Sequence, residues 1–420
     1  MKYGINTLDD FNFKSKVVLA RLDLNSPYDK ENNKLKDITR IKAALPTIKE
    51  LSEAGSKLVL LSHQGGDLEY HNYISTSFHA GVLSELLNRE IIFIDDICGP
   101  AAREAIKKLS NSQILLLDNV RYMAEELTLF EEKLKLTFED QAKTIVVRKL
   151  APLAQFYICD AFAAAHRSQP TLVGFEELLP SAMGRLFEKE YEVLSSIIST
   201  SKRPVVFLLG GAKIEDAFNM MPRVLAERVA DKILTAGLLT QVFMLAEGID
   251  IGEPSKEIIY LKKLDRYINN AREILIRYRE RIAMPIDLAY TDGGRMEINA
   301  NDLPLNAQIT DIGSKTIDMY KKEIVKAKTV FTNGPAGVFE KQASELGTKE
   351  LLSQIARSDN FSVVGGGDSI SAVNKYGLQG GFSYICTGGG AMVRFLSGEE
   401  LPVVASLKKS AEKFKKVMVN

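Results

Sequence analysis

The chain has 420 residues, 45% of them hydrophobic and 26% charged, and its 54 Lys and Arg balance its 54 Asp and Glu. That length suits two hydrophobic cores better than one, and zero net charge argues against nucleic acid or an acidic membrane as partner, since both demand a basic excess. No run approaches the ~20 apolar residues of a membrane span. The N-terminus lacks a secretory signal's apolar core, and Cys98, Cys159 and Cys386 lie far apart in or beside apolar runs, which predicts buried, reduced thiols in a cytoplasmic protein.

Along the chain, short apolar runs alternate with amphipathic stretches. Val17–Leu19, Leu58–Leu61, Ile91–Ile94, Ile114–Leu117 and Phe156–Ile158 read as one set of strands. Val205–Leu209, Ile233–Leu234, Val330–Phe331, Phe361–Val364 and Phe382–Ile385 read as a second. Between them, Arg40–Ala54, Met220–Ala230, Ile258–Ile282 and Ser314–Lys326 have helical patterns. Strands that are apolar on both faces, with helices between, predict an α/β protein with two doubly wound parallel sheets. In segment 181–200, Met183, Leu186, Phe187, Tyr191 and Leu194 recur at helical spacing, which predicts a helix joining a domain of residues 1–180 to one of residues 201–400. Residues 401–420 form a C-terminal segment, with Leu407–Val419 reading as a surface helix.

The halves differ in the residues placed just after their strands. In the first half these are polar and basic: Arg21, Asp23 and Asn25, then Ser62 and His63, then Asn119 and Arg121, then Asp160 with His166 and Arg167, while Arg40 opens a helix. One such arginine is ordinarily a solvated surface group. Five basic side chains at one sheet edge predict a pocket for a small phosphorylated anion, because guanidinium forks match phosphate and carboxylate oxygens. In the second half they are glycine turns: Gly210-Gly211-Ala212-Lys213, Asn333-Gly334-Pro335-Ala336-Gly337, Gly365-Gly366-Gly367-Asp368-Ser369 and Gly388-Gly389-Gly390. A single one is a tight strand-to-helix turn. Four together, with Lys213 and Asp368, predict nucleotide phosphates and a divalent metal at helix N-termini.

Other fingerprints fail. There is no GxGxxG, so a dinucleotide site has no support. Gly313-Ser314-Lys315-Thr316 ends like a phosphate-binding loop but has Gln308 where that motif needs glycine, and reads as a helix start. Asp23-x-Asn25 lacks the remaining ligands of a calcium loop. His71 and His79 lack metal-ligand partners and read as solvated surface residues.

In this order the motifs resemble the phosphoglycerate kinase family from Val17 to about Leu407, and the stretch Ala163–Gly174 resembles archaeal members. The resemblance implies two domains joined by a helix with a hinge cleft between them. It implies transfer of a phosphoryl group between 1,3-bisphosphoglycerate and ADP, giving 3-phosphoglycerate and ATP, in glycolysis and gluconeogenesis. The phosphoglycerate would meet Arg21, Asp23, Asn25, His63, Arg121, His166 and Arg167. Arg40, Lys213, Gly366 and Gly367 would serve catalysis. The nucleotide would meet Gly211, Lys213, Gly237, Asn333, Glu340, Gly366, Gly367, Asp368 and Ser369, with Asp368 on Mg2+. A monomer is expected, its last dozen or so residues returning to the first domain. Three positions depart from the family pattern: Gly66 stands where an arginine for the substrate phosphate is usual, Ala217 where a second lysine is common, and Thr235-Ala236-Gly237 where the adenine strand end is usually richer in glycine. Two other readings compete: a non-catalytic nucleotide-binding relative, which would lack Arg40 or Lys213, and a different α/β nucleotide-dependent transferase.

Overall fold

The computed structural model describes residues 1–66 and 72–415. It divides into two units, one built from Met1–Glu192 and the chain from Glu400, the other from Val193–Glu399. The division falls inside the helix Arg185–Ser199.

Beside a two-stranded hairpin of Tyr28–Asp29 and Lys34–Leu35, the described residues of unit 1 hold six strands: β1 (Val17–Arg21), β2 (Lys57–Leu61), β3 (Ile92–Ile94), β4 (Ile114–Leu117), β5 (Phe156–Cys159) and β6 (Ser181–Met183). They form one sheet in the order β3-β4-β2-β1-β5-β6, every pair parallel. The runs are apolar on both faces because both are covered. Val18, Leu58, Leu60 and Ile114 pack with Ile41, Ile48 and Leu51 of the helix Thr39–Glu53 in one core. Leu19, Val59 and Leu115, on alternate positions, are as deeply buried.

Unit 2 repeats the plan with β7 (Val205–Leu209), β8 (Lys232–Thr235), β9 (Ile282–Ala283), β10 (Thr329–Asn333), β11 (Phe361–Gly365) and β12 (Tyr384–Ile385). The order is β9-β8-β7-β10-β11-β12, again all parallel. In each sheet the first strand lies at the centre, where the order reverses. That is where α/β sheets open a crevice beyond the carboxyl ends of their strands. The expected fold class is borne out.

Several elements differ from expectation. Ile258–Ile282 is two helices, Glu253–Leu261 and Ile268–Tyr278, separated where Lys263 takes a positive φ of 55°. The helix after β7 begins at Ile214, six residues earlier than expected, and runs to Ala226. Unit 2 also carries an antiparallel sheet of Asp287–Thr291, Arg295–Asn299 and Ile309–Ile312, beyond the expected strands. The helix near the C-terminus, Pro402–Lys413, buries Val403, Val404, Leu407 and Ala411 rather than lying wholly on the surface. Val417, expected in it, lies outside the described residues. All three cysteines are buried and free, as expected. The Gly313–Thr316 stretch does start a helix: the Asp287 carboxylate accepts from the Lys315 and Thr316 amides at 2.9 and 2.7 Å, so those amides have no anion left to bind.

Candidate functional site

The sheet edge of unit 1 gathers most of the basic residues placed just after its strands. Arg40, from the first turn of its helix, donates to Asp23 at 2.5 Å. Burial would raise the Asp23 carboxyl, but Arg40, His63 and Arg21 together hold it down to about 2. His63 is pushed well below the ordinary histidine range, first by burial and then by the charges of Arg21, Arg121 and Arg40, with Asp23 opposing them. It is therefore neutral at pH 7. Arg21 is 1% exposed: its guanidinium donates to the Thr171 hydroxyl, the Leu22 carbonyl and His63 Nδ1. It thus stands behind His63. Arg121 is buried. Arg167, half-buried after β5, donates to Thr128 Oγ1 at 2.9 Å, and its neighbour His166 is also half-buried.

The loops that carry these groups are tied by Gln64 and His79, which no sequence motif marks, together with Asn25 and Asn119. Gln64 is fully buried; its Oε1 accepts from the Ser26 amide at 2.9 Å and its Nε2 donates to the Ser26 and Asn72 carbonyls. Asn119 exchanges two bonds with the Gln64 backbone, and Asn25 Oδ1 accepts from the Gly65 amide at 3.0 Å. His79, expected at the surface, is fully buried with Nε2 at 3.0 Å from Gln64 Oε1, and burial lowers its pKa to about 4. His71 lies outside the described residues.

In unit 2 the four glycine clusters, Lys213 and Asp368 line one polar pocket. Three helices start there: Ile214–Ala226 directly after Lys213, Gly367–Lys375 and Gly389–Ser397. Their unpaired N-terminal amides make the pocket a natural anion site. Glycine is required at two positions in particular. Gly366 has φ +84°, and a Cβ there would sit 2.2 Å from Asn333 Oδ1. At Gly334, φ is +88° and a Cβ would sit 2.1 Å from the Gly210 carbonyl oxygen. Ser369 is buried; its hydroxyl accepts from the Gly334 amide at 2.7 Å, pinning one turn to the next. Burial raises the Asp216 carboxyl in this pocket, with Lys213 pulling the other way.

An apolar pocket shares Gly211 and Asp368 with the polar one and continues along Gly237, Leu238, Ile309, Val338 and Phe339 to Glu340. These apolar walls carried no chemical signal in the sequence. Asp368, exposed in the first turn of its helix, has no hydrogen-bond or ion-pair partner among the described residues. No group of three His, Cys, Asp or Glu among them could cage a metal. One carboxylate beside a phosphate pocket suits magnesium, which keeps its waters and binds through substrate phosphates.

Residues 8–399 match the family model for phosphoglycerate kinase. The phosphoglycerate kinase of Methanothermus fervidus is 42% identical over 97% of this chain and 98% of its own length. That of Pyrococcus horikoshii is 43% identical over 98% and 99%. The crystal structure of the Pyrococcus horikoshii enzyme superposes with a TM-score of 0.88, covering 97% of this chain and all of its own. The phosphoglycerate kinase from Coxiella burnetii, 28% identical, gives 0.81 over the same coverage. The expected likeness of the chain to archaeal members is borne out by relatives that are mostly archaeal. Matched over nearly its whole length in both sequence and fold, the chain belongs to the phosphoglycerate kinase family.

Proposed function

We infer that the chain catalyses its family's reaction: the acyl phosphate of 1,3-bisphosphoglycerate passes to ADP, leaving 3-phosphoglycerate and ATP, reversibly. The observation that carries this reading is the meeting of four glycine turns, Lys213 and Asp368 around one polar pocket, in a chain that also keeps Arg40 and His63 at the other sheet's edge. In the forward direction a β-phosphate oxygen of ADP attacks the acyl phosphorus and the bond to the carboxyl oxygen breaks. No enzyme nucleophile is required, so the protein's work is positioning and charge neutralisation. His63, Asn25, Arg121, His166 and Arg167 bind the phosphoglycerate, with Asp23 aligning Arg40. Arg40 faces the acyl phosphate. Lys213 and the Gly366 and Gly367 amides meet the migrating group's oxygens from the nucleotide side. The adenine lies along Gly211, Gly237 and the apolar pocket, the ribose at Glu340, and the phosphates between Asn333 and Ser369. Asp368 would hold the magnesium of the nucleotide, which would supply further neutralising charge.

The two residue sets belong to different units, and in-line transfer requires both to reach one phosphoryl group in the ternary complex. We place the reaction in the cytoplasm, in a monomer that binds neither nucleic acid nor membrane. The zero net charge speaks against a nucleic-acid or acidic-membrane partner, and among the described residues no helix is long and apolar enough to cross a membrane. The direct test is a coupled assay with 3-phosphoglycerate and MgATP. Turnover with this pair and none with 3-phosphoglycerate omitted is expected; no turnover by the folded protein overturns the reading.

Gly66 gives a further expectation. Its loop is held by Gln64 and by Gly65, whose φ is +81° and whose absent Cβ would meet the Asn72 carbonyl at 2.6 Å. A guanidinium on the non-reacting phosphate acts alike in ground and transition states, so it changes KM more than kcat. Gly66→Arg is expected to lower KM for 3-phosphoglycerate about tenfold, the worth of one charge-assisted bond. Unchanged KM in a variant with a native circular dichroism spectrum would show that position 66 does not face the phosphate. Gly65→Ala should instead raise KM.

A further inference from the structure

We propose that Glu126 and Thr171 are positioning residues that act through Arg21 to decide which nitrogen of His63 carries its proton. The proposal rests on the phosphoglycerate-binding reading of this site. It starts from a donor count. A guanidinium has five N–H donors and no acceptor. One of its nitrogens lies 3.2 Å from His63 Nδ1, so Nδ1 must accept and the proton of the neutral ring sits on Nε2. His63 keeps 9% of its surface exposed, and Nε2 has no partner among the described residues and is not sealed from solvent. It is the donor left for an anion.

Arg21 is held in turn. Its Nε donates to Thr171 Oγ1 at 3.0 Å, and that hydroxyl sends its single proton to Glu126 Oε2 at 2.8 Å. The other Glu126 oxygen accepts from the Thr171 amide at 2.6 Å. In its ionised form Glu126 only accepts, so it orients the hydroxyl, the hydroxyl orients the guanidinium, and the guanidinium orients the imidazole. Each direction is set by the one before it. Glu126 is fully buried, and burial pushes its carboxyl up to about 7 against the pull of Arg21. Its neighbour Glu125 is committed elsewhere, to the Ile145 and Val146 amides. None of these four groups is near another in sequence, and Glu126 and Thr171 need never touch the substrate.

The test compares Glu126→Gln, Thr171→Val and Thr171→Ser with the unmodified full chain. Two quantities are read: the kinetic constants for 3-phosphoglycerate and MgATP, and the 15N ring signals of His63, assigned by their loss in His63→Asn. With only 4 histidines in the chain the spectrum is sparse. Glu126→Gln and Thr171→Val are expected to raise KM for 3-phosphoglycerate about tenfold, the loss of one charge-assisted bond, with kcat and KM for MgATP little changed. The His63 signals should move from the Nε2–H form to a mixture of tautomers. Thr171→Ser, which keeps the hydroxyl, should restore both. If Glu126→Gln does not fold, Thr171→Val decides, since it leaves the carboxylate and its amide bond in place. Unchanged tautomer and KM in a folded variant, or equal behaviour of the Val and Ser variants, overturns the proposal. Lack of turnover by the unmodified chain would overturn the functional reading instead, and the ring signals would still decide this one.

Discussion

Lys213→Ala and Arg40→Ala are each expected to lower kcat by about a hundredfold or more, equivalent to ~3 kcal/mol, while KM for MgATP moves only a fewfold. Lys213 precedes the helix Ile214–Ala226 with no ion-pair partner among the described residues, so its charge is available to oxygens whose negative charge grows during transfer. Arg40 differs because Asp23 already shares its charge at 2.5 Å. Removing it strands a carboxylate that is 4% exposed, and the neighbouring groups must readjust. Arg40→Ala should therefore also raise KM for 3-phosphoglycerate, which Lys213→Ala should not. Arg40→Lys should recover only part of kcat, because a point charge replaces a planar fork. Steady-state kinetics with both substrates varied measures all of this. Near-normal kcat with weakened binding in either alanine variant would remove that residue from the transition state.

Glu176→Gln is expected to stabilise the protein at pH 7 and to change its stability almost not at all near pH 4. Glu176 lies in a buried turn after the helix Pro170–Val173, 1% exposed, and neither carboxyl oxygen has a hydrogen-bond partner among the described residues. Burial, then the nearby Glu177 charge, raise its pKa well above the ordinary range. The folded chain therefore keeps a proton that the unfolded chain releases once pH passes the ordinary glutamate value. Between that value and neutrality the folded state binds more protons, so stability falls as pH rises. Glutamine has nearly the same shape and no proton to lose. Urea unfolding followed by circular dichroism at pH 4.5, 6 and 7.5 would show the difference widening with pH in the transition of unit 1. A constant difference would mean that Glu176 is not held neutral by the fold.

The sequence made the sheets legible because a doubly covered strand must be apolar on both faces, and the runs at Val17, Leu58, Ile114 and Val205 have no other use. The nucleotide pocket was legible for a related reason. Glycine after a strand is conspicuous, and the four clusters do line one pocket. The helix Ile214–Ala226 was started too late because its first turn holds Glu215 and Asp216, and its amphipathic stripe shows clearly only from Met220. The hairpin at Asp292-Gly293-Gly294 carries a local signal, a turn pair flanked by strand residues. The support behind the anion site was not legible. His79, Gln64, Glu126 and Thr171 gain their meaning from partners 15 to 150 residues away. No local pattern encodes such pairing.

Unit 1 is assembled from both ends of the chain. The helix Pro402–Lys413 packs against Pro170–Val173, Phe175–Glu177 and Ser181–Met183. It is pinned there by Ser406 and Ser410 hydroxyls donating to the Val173 and Leu179 carbonyls at 3.2 Å, and by Lys409 and Lys413 on Glu177. A ribosome delivers these parts in the opposite order from the one assembly needs. The first 192 residues emerge early and must wait, with the seat of Val403 and Leu407 still bare, until more than two hundred further residues have been made. Val193–Glu399, contiguous in the chain, faces no such wait. During synthesis the later-made unit therefore reaches its finished form first, and the earlier-made one is the nascent species with apolar surface to shield.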